Sequence, residues 1–293
     1  MELSGIHCPI TTPFVDKKIA PDKLAHNLEK WNETGLAGYV VFGSTGEAPY
    51  VSISERLELL RTARRYIPSE KTFIVGSGFE TTDETINFTQ RAAETGPDAA
   101  LVLTPNYYKQ QMTDDVFRRH FLAVAEKSPI PVLIYNVPIF TGIDISASVV
   151  KELSEHPNII GIKDSSARLA KLLRVIEMSS QQFQVFVGNA ASFFHGIYMG
   201  ADGAVLALAN VAPAQCVQIF EDCRNACHDA ARQLFLRILP FATDVIVPYG
   251  IPAIKAAQDA LGYFGGDPRA PLLPVVGPVG EKVVEELSKA GIL

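Results

Sequence analysis

Asn158-Ile159-Ile160-Gly161-Ile162-Lys163-Asp164-Ser165-Ser166 decides how this chain is read. The run is apolar and β-branched up to the lysine, and the Asp-Ser-Ser behind it has the composition of a helix N-cap. An apolar run of this length suits a parallel strand covered on both faces. A lysine at its carboxyl end would carry its amine into the crevice where parallel sheets and barrels keep their chemistry.

Working outward, similar runs recur at Cys8–Thr12, Gly38–Phe42, Thr72–Gly76, Ala99–Thr104, Pro131–Tyr135, Ile159–Lys163, Gln184–Val187 and Gly203–Leu206. Amphipathic patterns lie between them near Asp22–Thr34, Ser54–Tyr66, Thr82–Glu94, Asp114–Glu126, Ser146–Ser154, Leu169–Ser179 and Ser192–Met199. Strands alternating with helices read as parallel βαβ units, and eight such strands close a barrel. No G-x-G-x-x-G follows the first strand, so an open dinucleotide-binding sheet has no support. From Ala214 the strands stop. Ala214–Leu239, Ile254–Leu261 and Glu281–Ala290 read as helices, with Pro248-Tyr249-Gly250-Ile251-Pro252 separating the first two. The expected architecture is a (β/α)8 TIM barrel over residues 1–212 with a helical C-terminal region, 213–293, packed on it without a flexible linker.

The chain has 293 residues, 47% hydrophobic and 20% charged, as a soluble globular protein would. Its net charge of −6, with both signs interspersed, argues against a nucleic-acid partner or an anionic membrane surface. No apolar run approaches a membrane span. The opening Met1-Glu2-Leu3-Ser4-Gly5 lacks a secretory pattern, so a cytoplasmic protein is expected, or an organelle-matrix one after loss of a transit peptide. Cys216, Cys223 and Cys227 share one helical face, but no histidine stands at ligand spacing beside them, and they read as small buried residues.

In a barrel, sites lie at the carboxyl ends of strands. There stand Gly43-Ser44-Thr45-Gly46-Glu47, Thr104-Pro105-Asn106-Tyr107-Tyr108, Tyr135-Asn136-Val137-Pro138, Lys163, Gly188-Asn189 and Leu206–Asn210. This set holds an amine, phenols, two hydroxyls and glycine amides, with no His/Asp/Glu cluster suited to a catalytic metal. An uncharged lysine attacks a ketone and, after water is lost, forms an iminium that takes electrons from a neighbouring C–C bond. Apolar walls favour the uncharged amine. A phenol close to the amine can move the protons, and the Gly-Ser-Thr-Gly turn can hold a carboxylate with hydroxyls and amides.

The motifs Gly43-Ser44-Thr45-Gly46-Glu47, Tyr135-Asn136-Val137-Pro138 and Gly161-Ile162-Lys163-Asp164-Ser165, in this order, resemble the signatures of the dihydrodipicolinate synthase / N-acetylneuraminate lyase family. The likeness spans nearly the whole chain, from Pro9-Ile10-Thr11-Thr12-Pro13-Phe14 to Ala209-Asn210-Val211. It implies a class I, pyruvate-dependent aldolase or lyase on a (β/α)8 barrel, with pyruvate and an aldehyde as small-molecule partners and no cofactor or metal. It also implies a homo-oligomer built as a dimer of dimers. By the same resemblance, Lys163 is the Schiff-base lysine, Tyr135 the proton-relaying tyrosine, and Ser44 and Thr45 the carboxylate grip, with Gly43 beside them and the hydroxyl relay extended through Thr45 or Ser44. Tyr107 would reach a neighbouring subunit's site, while Gly188 and Val205 line the pyruvate. One position departs: where dihydrodipicolinate synthases carry an arginine for the second substrate's carboxylate, this chain has Phe140. The Thr-Pro-Asn-Tyr-Tyr-Lys form, Tyr249-Gly250-Ile251-Pro252 and Gly265-Gly266-Asp267-Pro268-Arg269-Ala270-Pro271-Leu272 look more like 4-hydroxy-2-oxoglutarate aldolases and 2-keto-3-deoxy-sugar-acid aldolases. The expected reaction is therefore cleavage or formation of such a 4-hydroxy-2-oxo acid. Dihydrodipicolinate synthesis and keto-deoxy sugar acid dehydration stand as the alternatives.

Overall fold

Eight β-branched segments, each too apolar to face water on either side, bury both faces by pairing with one another in a ring. The computed structural model describes residues 3–180 and 182–293. Its barrel strands are β1 (Gly5–Pro9), β2 (Gly38–Val41), β3 (Thr72–Gly76), β4 (Ala99–Leu103), β5 (Val132–Asn136), β6 (Ile159–Asp164), β7 (Gln184–Val187) and β8 (Gly203–Val205). All pair in parallel in sequence order, and β8 closes on β1 through Gly5 opposite Gly203. Alternate side chains fill the interior, where Val40, Ile74, Leu101, Leu133, Tyr135, Phe186 and Val205 form one cluster. The other faces pack under a ring of helices: α1 (Pro21–Asn32), α2 (Ile53–Tyr66), α3 (Thr82–Ala93), α4 (Asp114–Lys127), α5 (Ala147–Leu153), α6 (Leu169–Met178) and α7 (Phe193–Tyr198).

Several boundaries differ from the sequence expectation, each for a visible reason. The first strand runs Gly5–Pro9 rather than Cys8–Thr12, because Thr11 and Thr12 are occupied elsewhere. The Thr11 hydroxyl donates to Gln258 Oε1 at 2.9 Å, and that of Thr12 donates to the Gly46 carbonyl at 2.6 Å. Asp164-Ser165-Ser166 is not an N-cap. Asp164 ends β6, its carboxylate accepts the Ser166 amide at 2.7 Å, and α6 starts only at Leu169.

The C-terminal region consists of α8 (Pro213–Arg224), α9 (His228–Phe241), α10 (Val247–Ala260) and α11 (Pro278–Lys289). The single expected helix Ala214–Leu239 is broken at Ala226, whose left-handed backbone (φ 59°) turns the chain. Cys216 and Cys223 are buried on α8, while Cys227 lies exposed past its end. The stretch Pro248–Pro252 separates two helical pieces, as expected, by a kink at Gly250. It lies within α10, where Gly250 alone leaves helical geometry (φ 63°, ψ −146°), a conformation open to glycine. A π-turn over Ala242–Ile246 joins α9 to α10, so His228–Ala260 forms a run of 33 residues. By length and apolar composition that run could cross a membrane, contrary to the expectation that no stretch comes near such a span. Its apolar stripe, including Phe235, Ile238, Phe241, Val245, Ile254 and Ala257, joins the buried core shared with the barrel.

Candidate active site

The strand ends set the geometry. On β5 and β6, Tyr135 lies directly opposite Lys163 in register, and the ladder continues with Asn136 opposite Asp164. Residues opposite one another in a parallel pair point to the same face, and Tyr135 belongs to the barrel interior. Lys163 therefore enters the barrel mouth, 4% exposed, with Nζ 4.3 Å from the centre of the Tyr135 ring. The Tyr135 hydroxyl lies 3.2 Å from Ser44 Oγ, across the barrel from β5 to the turn after β2. The amine thus lies against the face of the phenol ring, and the phenol hydroxyl beside that of Ser44.

Ser44, Thr45 and Gly46 make a 3-10 turn, with Thr45 buried inside it and Gly43 leading in from β2. Gly188 follows β7 and must be glycine. A Cβ there would lie 2.0 Å from Ser165 Oγ and 3.0 Å from Lys163 Cε. Val205 ends β8 within the interior cluster. The structure therefore gathers Lys163, Tyr135, Ser44, Thr45, Gly43, Gly188 and Val205 at one end of one barrel.

A cavity of about 550 Å³ opens above the tyrosine, lined among others by Gly43, Ser44, Tyr135, Phe140 and Thr141. Phe140 sits in a short helical turn after β5 and is 67% exposed. Tyr107 does not join the group. It is 75% exposed at the tip of the loop after β4, its amide donates to Glu80 Oε2 at 2.8 Å, and its ring meets Tyr108 edge to face. Arg56 is the guanidinium in the cavity wall, and it is already committed: Nε donates to the Val51 carbonyl at 3.1 Å and Nη2 to that of Ala48. It is packed among the Phe42, Phe79 and Phe88 rings, and burial pushes its pKa down to about 10. Among the described residues no three His, Cys, Asp or Glu side chains are grouped to hold a metal ion.

Sequence reasoning missed the brace behind the lysine. Lys171 on α6 pairs with Asp164 at 3.2 Å and with Asp144, while Asn136 Nδ2 donates to Asp144 at 2.8 Å. These groups tie the ends of β5 and β6 to each other and to the loop before α5. The acidic residue directly after Lys163 was the one available signal. Asp144 and Lys171 look like ordinary surface charges in the sequence. Ser165 was missed as well; its hydroxyl donates to the Gly188 carbonyl at 3.1 Å.

Residues 2–290 match the sequence profile of the Dihydrodipicolinate synthetase family. A 4-hydroxy-tetrahydrodipicolinate synthase of Kosmotoga olearia is 32% identical over 99% of both chains. The solved dihydrodipicolinate synthase of Acinetobacter baumannii, complexed with pyruvate, superposes with a TM-score of 0.94 at 29% identity. That match covers 99% of this chain and 100% of the other. A monomeric dihydrodipicolinate synthase variant superposes equally well, with a TM-score of 0.94 at 26% identity over 99% and 97% of the two chains. These relatives bear the synthase name, and none of them that of a 4-hydroxy-2-oxoglutarate aldolase, so the synthase alternative is better supported than the reading the sequence put first. The barrel, its lysine and its relatives agree: the chain belongs to the dihydrodipicolinate synthetase family, class I pyruvate-dependent carbon–carbon lyases.

Proposed function

We propose that Lys163 forms an imine with pyruvate and that Tyr135 and Ser44 move the protons of the reaction. The uncharged amine adds to the keto carbon, and the resulting carbinolamine loses water as a proton passes to the departing hydroxyl. Removal of a methyl proton then leaves an enamine, whose carbon adds to an aldehyde; cleavage is the reverse. Ser44 and Thr45 would hold the pyruvate carboxylate, beside Gly43 and opposite Gly188 and Val205. The observation that carries this reading is the contact between Lys163 Nζ and the Tyr135 ring, with the Tyr135 hydroxyl in reach of Ser44. Mixing the protein with pyruvate and borohydride, then weighing it, is the test. One pyruvyl-derived unit on Lys163 is expected; an unchanged mass, or label on another lysine, refutes it.

For the aldehyde half, the relatives' names favour 4-hydroxy-tetrahydrodipicolinate synthesis, in which the enamine meets an amino-acid semialdehyde. A second reading, cleavage of a 4-hydroxy-2-oxo acid, is favoured by one feature. Phe140 stands where the resemblance expects an arginine, and Arg56 nearby is held back by bonds from Nε and Nη2 to backbone carbonyls. Consumption of aspartate semialdehyde with pyruvate supports the first. Pyruvate release from 4-hydroxy-2-oxoglutarate or from 2-keto-3-deoxy sugar acids, without that consumption, supports the second.

We also propose that Tyr107 completes the site of a second copy, since its own cavity does not include it and its ring, packed only edge to face on Tyr108, lies exposed at a loop tip. Mixing inactive Lys163→Ala chains with inactive Tyr107→Phe chains tests this. Activity returns after subunit exchange if tyrosines are swapped, and stays absent if each serves its own barrel.

A further inference from the structure

We propose that the buried Glu47–Lys255 ion pair is a positioning device, through which the C-terminal helical region holds the Ser44–Thr45 turn in shape and so sets the site's affinity for its 2-oxo acid. This rests on the reading above, in which that turn holds the pyruvate carboxylate.

The turn needs holding. Glu47 closes the Ser44–Gly46 turn with its amide on the Ser44 carbonyl at 3.1 Å, and it starts the next turn by accepting the Tyr50 amide at 2.8 Å. To do both it adopts a left-handed backbone, φ 53° and ψ 35°. That conformation costs a residue with a Cβ roughly 1–2 kcal/mol, and it persists only where surrounding contacts impose it.

Those contacts come from far along the chain. One Glu47 carboxylate oxygen lies 2.8 Å from Lys255 Nζ, both side chains being essentially sealed from solvent. The other oxygen accepts the Arg269 amide at 2.8 Å. Lys255, on α10, also donates to the Thr12 carbonyl at 2.8 Å and the Asp267 carbonyl at 3.1 Å, with its ammonium over the Phe14 ring. Thr12 completes a closed circuit, because its hydroxyl donates to Gly46, the residue before Glu47. The Arg269 side chain reinforces the same corner by gripping Glu55 with two nitrogens and donating to the Tyr50 carbonyl.

A pair buried this deeply contributes little net stability, since desolvation offsets attraction and apolar substitutes often do as well. What it does supply is direction: Glu47 has one place to put its charge. With Glu47 fixed, Ser44 stays in reach of the Tyr135 hydroxyl, and a misplacement of about 1 Å in such a site costs on the order of 10²-fold.

The test compares two variants that loosen the same seam. Glu47→Gln removes the charge that Lys255 holds. Thr11→Val removes a different buried bond between the β1 loop and α10, the one to Gln258. Each is assayed at a fixed interval below its own Tm, with the half-saturating pyruvate concentration for borohydride trapping as the readout. Glu47→Gln should raise that concentration about tenfold or more, and Thr11→Val should leave it within about twofold. An unchanged value for Glu47→Gln, or an equal rise in Thr11→Val at equal loss of Tm, overturns the inference while the pyruvate reading stands. If the unaltered protein traps no pyruvate, both readings fail together. Should Glu47→Gln not fold, the pair is replaced whole as Glu47→Gln with Lys255→Met, and the same rise is expected.

Discussion

The two halves of the catalytic mouth are built differently. Tyr135 and Lys163 sit on adjacent strands, 28 residues apart, and the β5–β6 ladder sets their separation before any other contact is made. Ser44 and Thr45 sit on a turn whose shape depends on Lys255 and Arg269, more than 200 residues away. The first half is register and the second is tertiary bracing. Damage to the first should remove chemistry and leave binding and folding largely intact. Damage to the second should weaken substrate affinity and folding together.

The sharpest way to break this comparison is Lys163→Ala. Turnover should fall by at least about 10⁴-fold with Tm little changed, because covalent catalysis has no substitute amine. A clear loss of Tm would show that the lysine also braces the barrel. Tyr135→Phe should lower kcat by roughly 10²–10⁴-fold while reductive trapping still saturates at similar pyruvate. If its effect falls on half-saturation instead, Tyr135 belongs with the grip and the division is wrong.

Asp164→Asn probes the brace behind the register half. It leaves the half-buried Lys171 with one carboxylate partner fewer, so urea unfolding should show a loss of about 2–4 kcal/mol. The half-saturating pyruvate should barely move.

A last effect concerns acid. His7, on β1, and His120, on α4, are buried and neutral, and burial lowers the pKa of each to about 4 from an ordinary 6.5. Between those values the unfolded chain binds more protons than the folded one, so stability rises with pH across that window. The contribution is complete above about pH 6.5 and is lost as pH falls towards 4. It amounts to about 3 kcal/mol for each histidine at most. His7→Phe should flatten part of this slope in urea midpoints measured between pH 4 and 7. Both halves of the mouth should fail together, since β1 pairs with β2 beside the turn and with β8 across the closure. Trapping lost at a pH where the barrel is still folded would separate them.

The local half of this arrangement was readable in advance. Thr72–Gly76 and Gln184–Val187 are strands from end to end because short apolar runs bounded by turn and polar residues delimit them within a few positions. Lys163 and Tyr135 stand out because a polar group ending an apolar run must point into the mouth. The misreadings share a cause. Thr11 and Thr12 look like strand but bond to α10 and to Gly46. Asp164 has the composition of a cap but answers to Lys171 and Ser166.

By itself, then, the sequence determined the barrel, the helical C-terminal region and the strand-end residues for which the imine chemistry is proposed. Each of these follows from periodicity over a few residues or from a short motif. Only the tertiary structure decided that Lys255, placed in the amphipathic pattern of α10 like any surface lysine, is fully buried against Glu47. Only it decided that Phe140, in a short helical turn, and Tyr107, at a loop tip, lie exposed. A side chain's partner across 200 residues depends on how helices dock on the barrel. That docking is settled by the summed packing of many apolar contacts, which no local spacing records.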